Sequence, residues 1–151
     1  MLTAIKNSKI DITSEKSTRE LAEKLTKHLN GGEYVFLYGE MGVGKTTFVK
    51  HFINKFHADE KLEPSEVTSP TFNLLNEYKI KNFTIKHYDL FRIKNSLEIK
   101  DLDIFDINNQ TITFVEWPQI LENNAKVKSV DLLFAYENEL KNRTVQIKGL
   151  N

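Results

Sequence analysis

Residues 39–46, Gly39-Glu40-Met41-Gly42-Val43-Gly44-Lys45-Thr46, fit the pattern Gly-x-x-x-x-Gly-Lys-Ser/Thr, a loop whose backbone N–H groups wrap the phosphates of a nucleotide. The pattern constrains fold as much as ligand, because such a loop requires a buried strand before it and a helix after it. Tyr34-Val35-Phe36-Leu37-Tyr38 is an unbroken apolar run that predicts the strand. Phe48, Val49, Phe52, Ile53 and Phe56 recur at the spacing that predicts the helix. Gly39, Gly42 and Gly44 let the chain turn left-handed and bring amides against anionic oxygens. A helix opening near Lys45 adds unpaired N–H groups and the positive end of its dipole. Lys45 is then placed to reach the β- and γ-phosphates, and the Thr46 hydroxyl to ligate magnesium.

The chain has 151 residues, the size of one ordinary domain with a sizeable core. Its 21 basic and 21 acidic residues cancel, so no global field draws it onto DNA or an anionic membrane, and any RNA contact is local or made through a partner. The absence of cysteine excludes disulfides, thiolate metal sites and cysteine nucleophiles. No segment is suited to span a bilayer, and Met1 to Ile12 lacks the apolar core and cleavage site of a secretory signal. A cytoplasmic protein is expected.

A short strand is expected near Lys9 to Ile12. Ser17 and Glu20 form a Ser-x-x-Glu capping box ahead of Leu21, Leu25 and Leu29, predicting a helix from about Thr18 to Leu29 with a left-handed stop at Asn30-Gly31-Gly32. His57 to Glu66 is polar, carries Pro64 and reads as a surface connection. Phe72 to Lys79 and Phe83 to Tyr88 predict two strands joined by a turn near Lys81-Asn82, an antiparallel hairpin. A short helix over Ser96 to Phe105 and strands at Thr111 to Val115, Val130 to Tyr136 and Arg143 to Ile147 complete the order. The fold class expected is α/β: one P-loop NTPase-like domain, a mixed, mainly parallel sheet flanked by helices with the hairpin added.

A phosphate loop needs a carboxylate at the end of a neighbouring strand to hold magnesium. Two strand ends supply one, Glu116 after Ile112-Thr113-Phe114-Val115 and Asp89 after Ile85-Lys86-His87-Tyr88. Glu116 is favoured for the metal or its water, with Asp89 close behind; alone, either would read as a solvated or capping acid. Thr68-Ser69-Pro70-Thr71-Phe72 is the candidate sensor of the terminal phosphate, although without context it is a turn before a strand. His28, His51, His57 and His87 have no metal-ligand spacing and read as structural. Trp117 reads as core or rim packing, and Lys141, Arg143 and Lys148 as a solvated strand face, with phosphate or RNA contact the lesser reading.

Taken together, Gly39 to Thr47, Ser69-Pro70-Thr71-Phe72, Glu77-Tyr78, His87-Tyr88-Asp89-Leu90-Phe91-Arg92 and Val115-Glu116-Trp117-Pro118 resemble, over most of the chain, the small bacterial ATPases called TsaE (YjeE-type). Those proteins assist the threonylcarbamoyl modification of adenosine in tRNA. The resemblance implies ATP and Mg²⁺ as cofactors, with Glu40, Met41, Gly42, Val43, Gly44, Lys45, Thr46 and Thr47 on the phosphates. It implies Thr71 as the switch threonine, Asp89 and Glu116 as the acidic pair at the metal, and Trp117 beside the site. Ser14 to Thr18, with Glu15, resembles the segment bordering the adenine. It further implies slow hydrolysis alone, cycling on a TsaB–TsaD complex, and only indirect contact with tRNA. Phe91 stands where the family commonly has tyrosine, Glu98 to Leu102 lacks a common glycine, and the connection from His57 to Glu66 is longer than usual.

Two other functions share this loop. A small nucleoside or nucleotide kinase grips its phosphates with several charged side chains, often arginines, whereas only Arg19, Arg92 and Arg143 occur here. A non-enzymatic module would use nucleotide occupancy alone to order a switch and dock a partner. No Asn-Lys-x-Asp element is present to read guanine.

Overall fold

The computed structural model describes residues 9–106, 108–121 and 128–150; the segment inspected for a secretory signal lies mostly outside them. In chain order the elements are β1 (Lys9–Asp11), α1 (Glu15–Thr26), β2 (Tyr34–Tyr38), α2 (Lys45–Asp59), β3 (Leu75–Ile80), β4 (Phe83–Asp89), α3 (Ser96–Lys100), β5 (Thr111–Glu116), one 3₁₀ turn (Pro118–Leu121), β6 (Ser129–Glu137) and β7 (Asn142–Lys148). They build a seven-stranded sheet in the order β1-β7-β6-β2-β5-β4-β3. The four central strands β6, β2, β5 and β4 run parallel, while β3, β7 and β1 are added antiparallel at the edges. The expected hairpin is present as β3–β4, its turn made by Lys81 at φ 55°. The last two strands form a second antiparallel pair.

Side chains of the central strands alternate between two cores. Val35, Leu37, Phe114 and Leu132 face α1 and α2, whose Leu21, Leu25, Phe48, Phe52 and Ile53 pack with them; Tyr34, Phe36, Tyr88 and Val115 face the other way, onto Ile99, Ile104 and Leu121. Phe52 and Phe114 meet edge to face at 4.8 Å. A buried phenylalanine of this kind is worth about 3–5 kcal/mol against alanine, so Phe52→Ala would loosen α2 and the loop that begins it. Among the described residues no helix is long and apolar enough to cross a membrane.

Four expected boundaries are corrected. The cap of α1 is Ser14, whose Oγ accepts from Ser17 N at 3.1 Å, so the helix starts earlier than the Ser17 box implied and Ser17 lies within its first turn. It also ends earlier, at Thr26, and the left-handed Gly31 and Gly32 turn the chain into β2. The strand expected from Phe72 begins only at Leu75, because Leu74 adopts φ 67° and its N–H closes a turn onto Pro70 O at 2.7 Å. The helix expected to reach Phe105 stops at Lys100; Asp103 at φ 51° belongs to the turn that follows.

Candidate nucleotide-binding site

The loop leaves β2 at the edge where parallel strands end, the place where open α/β sheets receive ligands. Gly39 has φ 146°, and a Cβ there would stand 2.9 Å from Phe134 O, so only glycine lets the chain turn so close to β6. Gly44, at φ 114°, is the N-cap of α2 and offers no side-chain acceptor. The first-turn amides of α2 are therefore left for an external anion. They open onto a cleft of about 320 Å³.

One flank of the cleft is acidic and built by strand register. Asp89 on β4 pairs directly with Glu116 on β5, and His87, two residues before Asp89, shares its face. Glu116 Oε2 accepts from Thr46 Oγ1 at 2.8 Å and lies 2.6 Å from His87 Nε2. Glu116 is 4% exposed and His87 wholly buried, with its Nδ1 unpartnered. Asp89 is held by other groups: Oδ1 accepts from Phe91 N at 2.9 Å and Oδ2 from Thr71 Oγ1 at 3.0 Å. Thr71 Oγ1 also contacts Ser69 Oγ at 2.6 Å.

Lys45 is buried beside the acids. Its Nζ donates to Gly39 O at 2.6 Å and sits 3.8 Å from the centre of the Trp117 ring, which itself packs against Phe91 at 4.8 Å. Burial draws the Lys45 pKa below the usual lysine value, while Glu116 and Asp89 oppose that shift. Trp117 is held at φ 57°, a backbone state that costs a non-glycine residue energy and recurs where function constrains the chain.

Of the residues expected at the site, Met41, Gly42, Gly44, Lys45, Thr46, Thr47, Thr71, Asp89 and Glu116 all line the cleft, together with Trp117. Val43 turns its side chain into the core and donates its N–H to Glu40 O at 3.3 Å, and neither residue is among those lining the cleft. Glu15 lies outside the lining of this cleft, at the start of α1, where its Oε1 is 3.2 Å from His51 Nε2 and joins α1 to α2. Two residues read as structural or solvated touch this region: His87 lies behind the cleft against Glu116, and Arg143 is part of the cleft lining. His87 could have been found from its spacing to Asp89 on one strand. Arg143 reaches the cleft from β7, and only the strand order reveals that.

A family model described as "Threonylcarbamoyl adenosine biosynthesis protein TsaE" matches residues 12–145. A tRNA threonylcarbamoyladenosine biosynthesis protein TsaE of Rickettsia conorii is 39% identical over 112 residues, which make up 74% of this chain and 62% of that protein. The chain thus spans somewhat under two thirds of that relative's length. The protein of the same name from Aquifex aeolicus is 37% identical over 108 residues, 72% of this chain and 74% of its own. The crystal structure of Bacillus subtilis YdiB superposes with a TM-score of 0.72 over 95% of this chain and 85% of that one; at 20% identity it supports the fold alone. With a family match running from the end of β1 into β7 and enclosing the loop and both acids, the chain belongs to the TsaE family.

Proposed function

We propose that the protein is a magnesium-dependent ATPase that supports threonylcarbamoyladenosine modification of tRNA. It cycles on a TsaB–TsaD type complex in the cytoplasm and meets tRNA only through those partners. The observation that carries this reading is the meeting of Thr46 and Glu116 at 2.8 Å beside Lys45, at the mouth of an uncapped helix. A hydroxyl and two carboxylates are hard oxygen donors, and the glycine cradle leaves room for phosphate; the residues present therefore fit a magnesium nucleotide.

The loop amides and the dipole of α2 bind the phosphate oxygens, and Lys45 leaves Gly39 O to join them. Thr46 and Glu116 would hold the metal, with His87 fixing the orientation of the Glu116 carboxylate. Magnesium held there would supply positive charge against that developing on the phosphates. Asp89, on the neighbouring strand, orients water for in-line attack. Thr71 exchanges its bond to Asp89 for the terminal phosphate and so reports its presence. The kinase reading asks for a multi-arginine grip, and among the described residues Arg143 is the one arginine in the cleft lining. To test the role of hydrolysis, ATP and a non-hydrolysable analogue are compared in a reconstituted modification assay. Multiple rounds with ATP and arrest with the analogue are expected. Multiple rounds with the analogue would leave a nucleotide-dependent binding module instead.

A further inference from the structure

The segment that carries Thr71 is fastened to the far end of the helix that carries the phosphate loop. Ser65 is held there at two atoms: its N–H donates to Asn54 Oδ1 at 3.2 Å, and its Oγ lies 3.0 Å from His57 Nε2. His57 is 6% exposed, and its Nδ1 is 3.0 Å from Ile53 O. A carbonyl can only accept, so Nδ1 carries a proton, and in the neutral ring Nε2 accepts from the Ser65 hydroxyl. Both ring nitrogens are thus used, one on the helix itself and one on the segment that follows it. This end of α2 is fixed in turn, because the Phe56 ring meets Phe83 of β4 at 6.0 Å and Glu60 Oε2 pairs with Lys81 Nζ at 2.7 Å.

From Ser65 the chain reaches the cleft through further footholds. Val67 packs against the main core, Thr68 O accepts from Asn76 Nδ2 on β3 at 3.2 Å, and Pro70 is buried. Lys61 to Pro64, ahead of Ser65, are all exposed. The first turn of α2 carries Lys45 and Thr46 and its last turn His57, about 18 Å along the axis at 1.5 Å per residue. One helix therefore presents the phosphate-facing groups at one end and the root of the Thr71 segment at the other.

We propose that Ser65, clamped to α2 by Asn54 and His57, is a positioning residue for the switch: it fixes the root of the segment so that Thr71 changes partner while the chain behind it stays in place. The assignment rests on the switch role given to Thr71 above. An anchored root reduces the conformational entropy that the segment loses when it closes on a terminal phosphate. Freed from the clamp, residues 66–71 sample more arrangements and reach the reacting one less often, while the loop that binds the phosphates is untouched. A bond that only completed the end of α2 would leave the switch indifferent to its loss.

Two measurements decide between these roles. Amide hydrogen exchange is followed in the free wild type, Ser65→Ala, Asn54→Ala and Ser65→Thr. Exchange over Glu66 to Thr71 should be about 3- to 10-fold faster in the two alanine variants, the scale of one lost hydrogen bond, with the amides of α2 unchanged and Ser65→Thr, which keeps the hydroxyl, near the wild type. ATP turnover beside the partner complex should then fall about 3- to 10-fold in kcat for Ser65→Ala, with KM for ATP and calorimetric affinity for Mg-ADP within twofold, and Ser65→Thr should restore it. In a Thr71→Ala background Ser65→Ala should cost nothing further, since it acts through that threonine. Unchanged exchange over Glu66 to Thr71, or an equal loss of kcat with and without Thr71, would overturn the assignment. A wild type that did not turn over ATP beside its partners would instead defeat the ATPase reading, and the positioning role with it.

Discussion

The corner of the cleft proposed to hold the metal and the segment proposed to act as the switch are built differently although they share one wall. Glu116 is buried, and its Oε2 is contacted by both Thr46 and His87 from two further elements. Thr71 is half-buried and joined to that wall through Asp89; beside it Phe72 is 85% exposed. A typical hydrogen bond between side chains contributes about 1 kcal/mol net, so a terminal phosphate need offer Thr71 only a slightly better partner to move it. The Glu116 corner is therefore pre-formed by the sheet. The segment that responds is held by contacts that exchange cheaply, which is what a population shift between two states requires.

The sharpest way to break that contrast is to remove the pre-formed corner. Lys45→Ala and Glu116→Ala should each cut ATP turnover in the presence of the partner complex by about 10²- to 10³-fold, the range for loss of one electrostatic contact to a developing charge. Steady-state assays over an ATP series measure it, and turnover within threefold of wild type would refute the site. His87→Ala should act one step out. Loss of an outer partner of a metal ligand costs about 10- to 100-fold in metal affinity, so the magnesium concentration for half-maximal activity should rise by that factor. Activity at saturating magnesium should largely recover, an outcome that a general packing defect would not give.

The switch should show the opposite signature. Thr71→Ala should lower kcat by about tenfold with KM for ATP within about threefold, because the lost interaction forms only with the terminal phosphate in its reacting geometry. A rise in KM with kcat unchanged would mean that Thr71 is a simple ligand-binding group and that the two regions do not differ in kind.

Much of the pre-formed corner was legible in the sequence because its determinants are local. A glycine pattern between an apolar strand and an amphipathic helix fixes the loop, and an acid at the end of a buried strand lies at the ligand edge whatever the strand's neighbours. The parts that escaped depend on what lies across the sheet. Arg143 is about a hundred residues from the loop in sequence, and only the β2–β6–β7 neighbourhood brings it to Gly44. The contact of Glu15 with His51 on α2 is of the same kind, since it depends on how α1 packs against α2. The misplaced start of β3 came from Leu74, whose positive φ no residue preference signals, since leucine rarely adopts it.

The smallest effect expected lies on the far side of the same wall, and it separates the stability of the pre-formed corner from its chemistry. Tyr88, between His87 and Asp89, points to the opposite core, where its hydroxyl donates to Leu102 O at 2.9 Å. Burial, with Glu77 next in effect, pushes its pKa up to about 12 from an ordinary 10. Between those values the folded protein keeps a proton that the unfolded chain has lost, so raising the pH favours unfolding. The Tyr88 contribution is intact below pH 10 and gone once pH has risen through about 12. Urea unfolding at pH 9 and pH 11 should accordingly show a larger loss of stability in the wild type than in Tyr88→Phe, which lacks the titrating group. ATP turnover at neutral pH should be the same in both, because Tyr88 faces away from the cleft. Equal losses at pH 11 would show that Tyr88 is not buried in this way. A fall in turnover at neutral pH would show that the strand carrying His87 and Asp89 is not held rigidly by its registers alone.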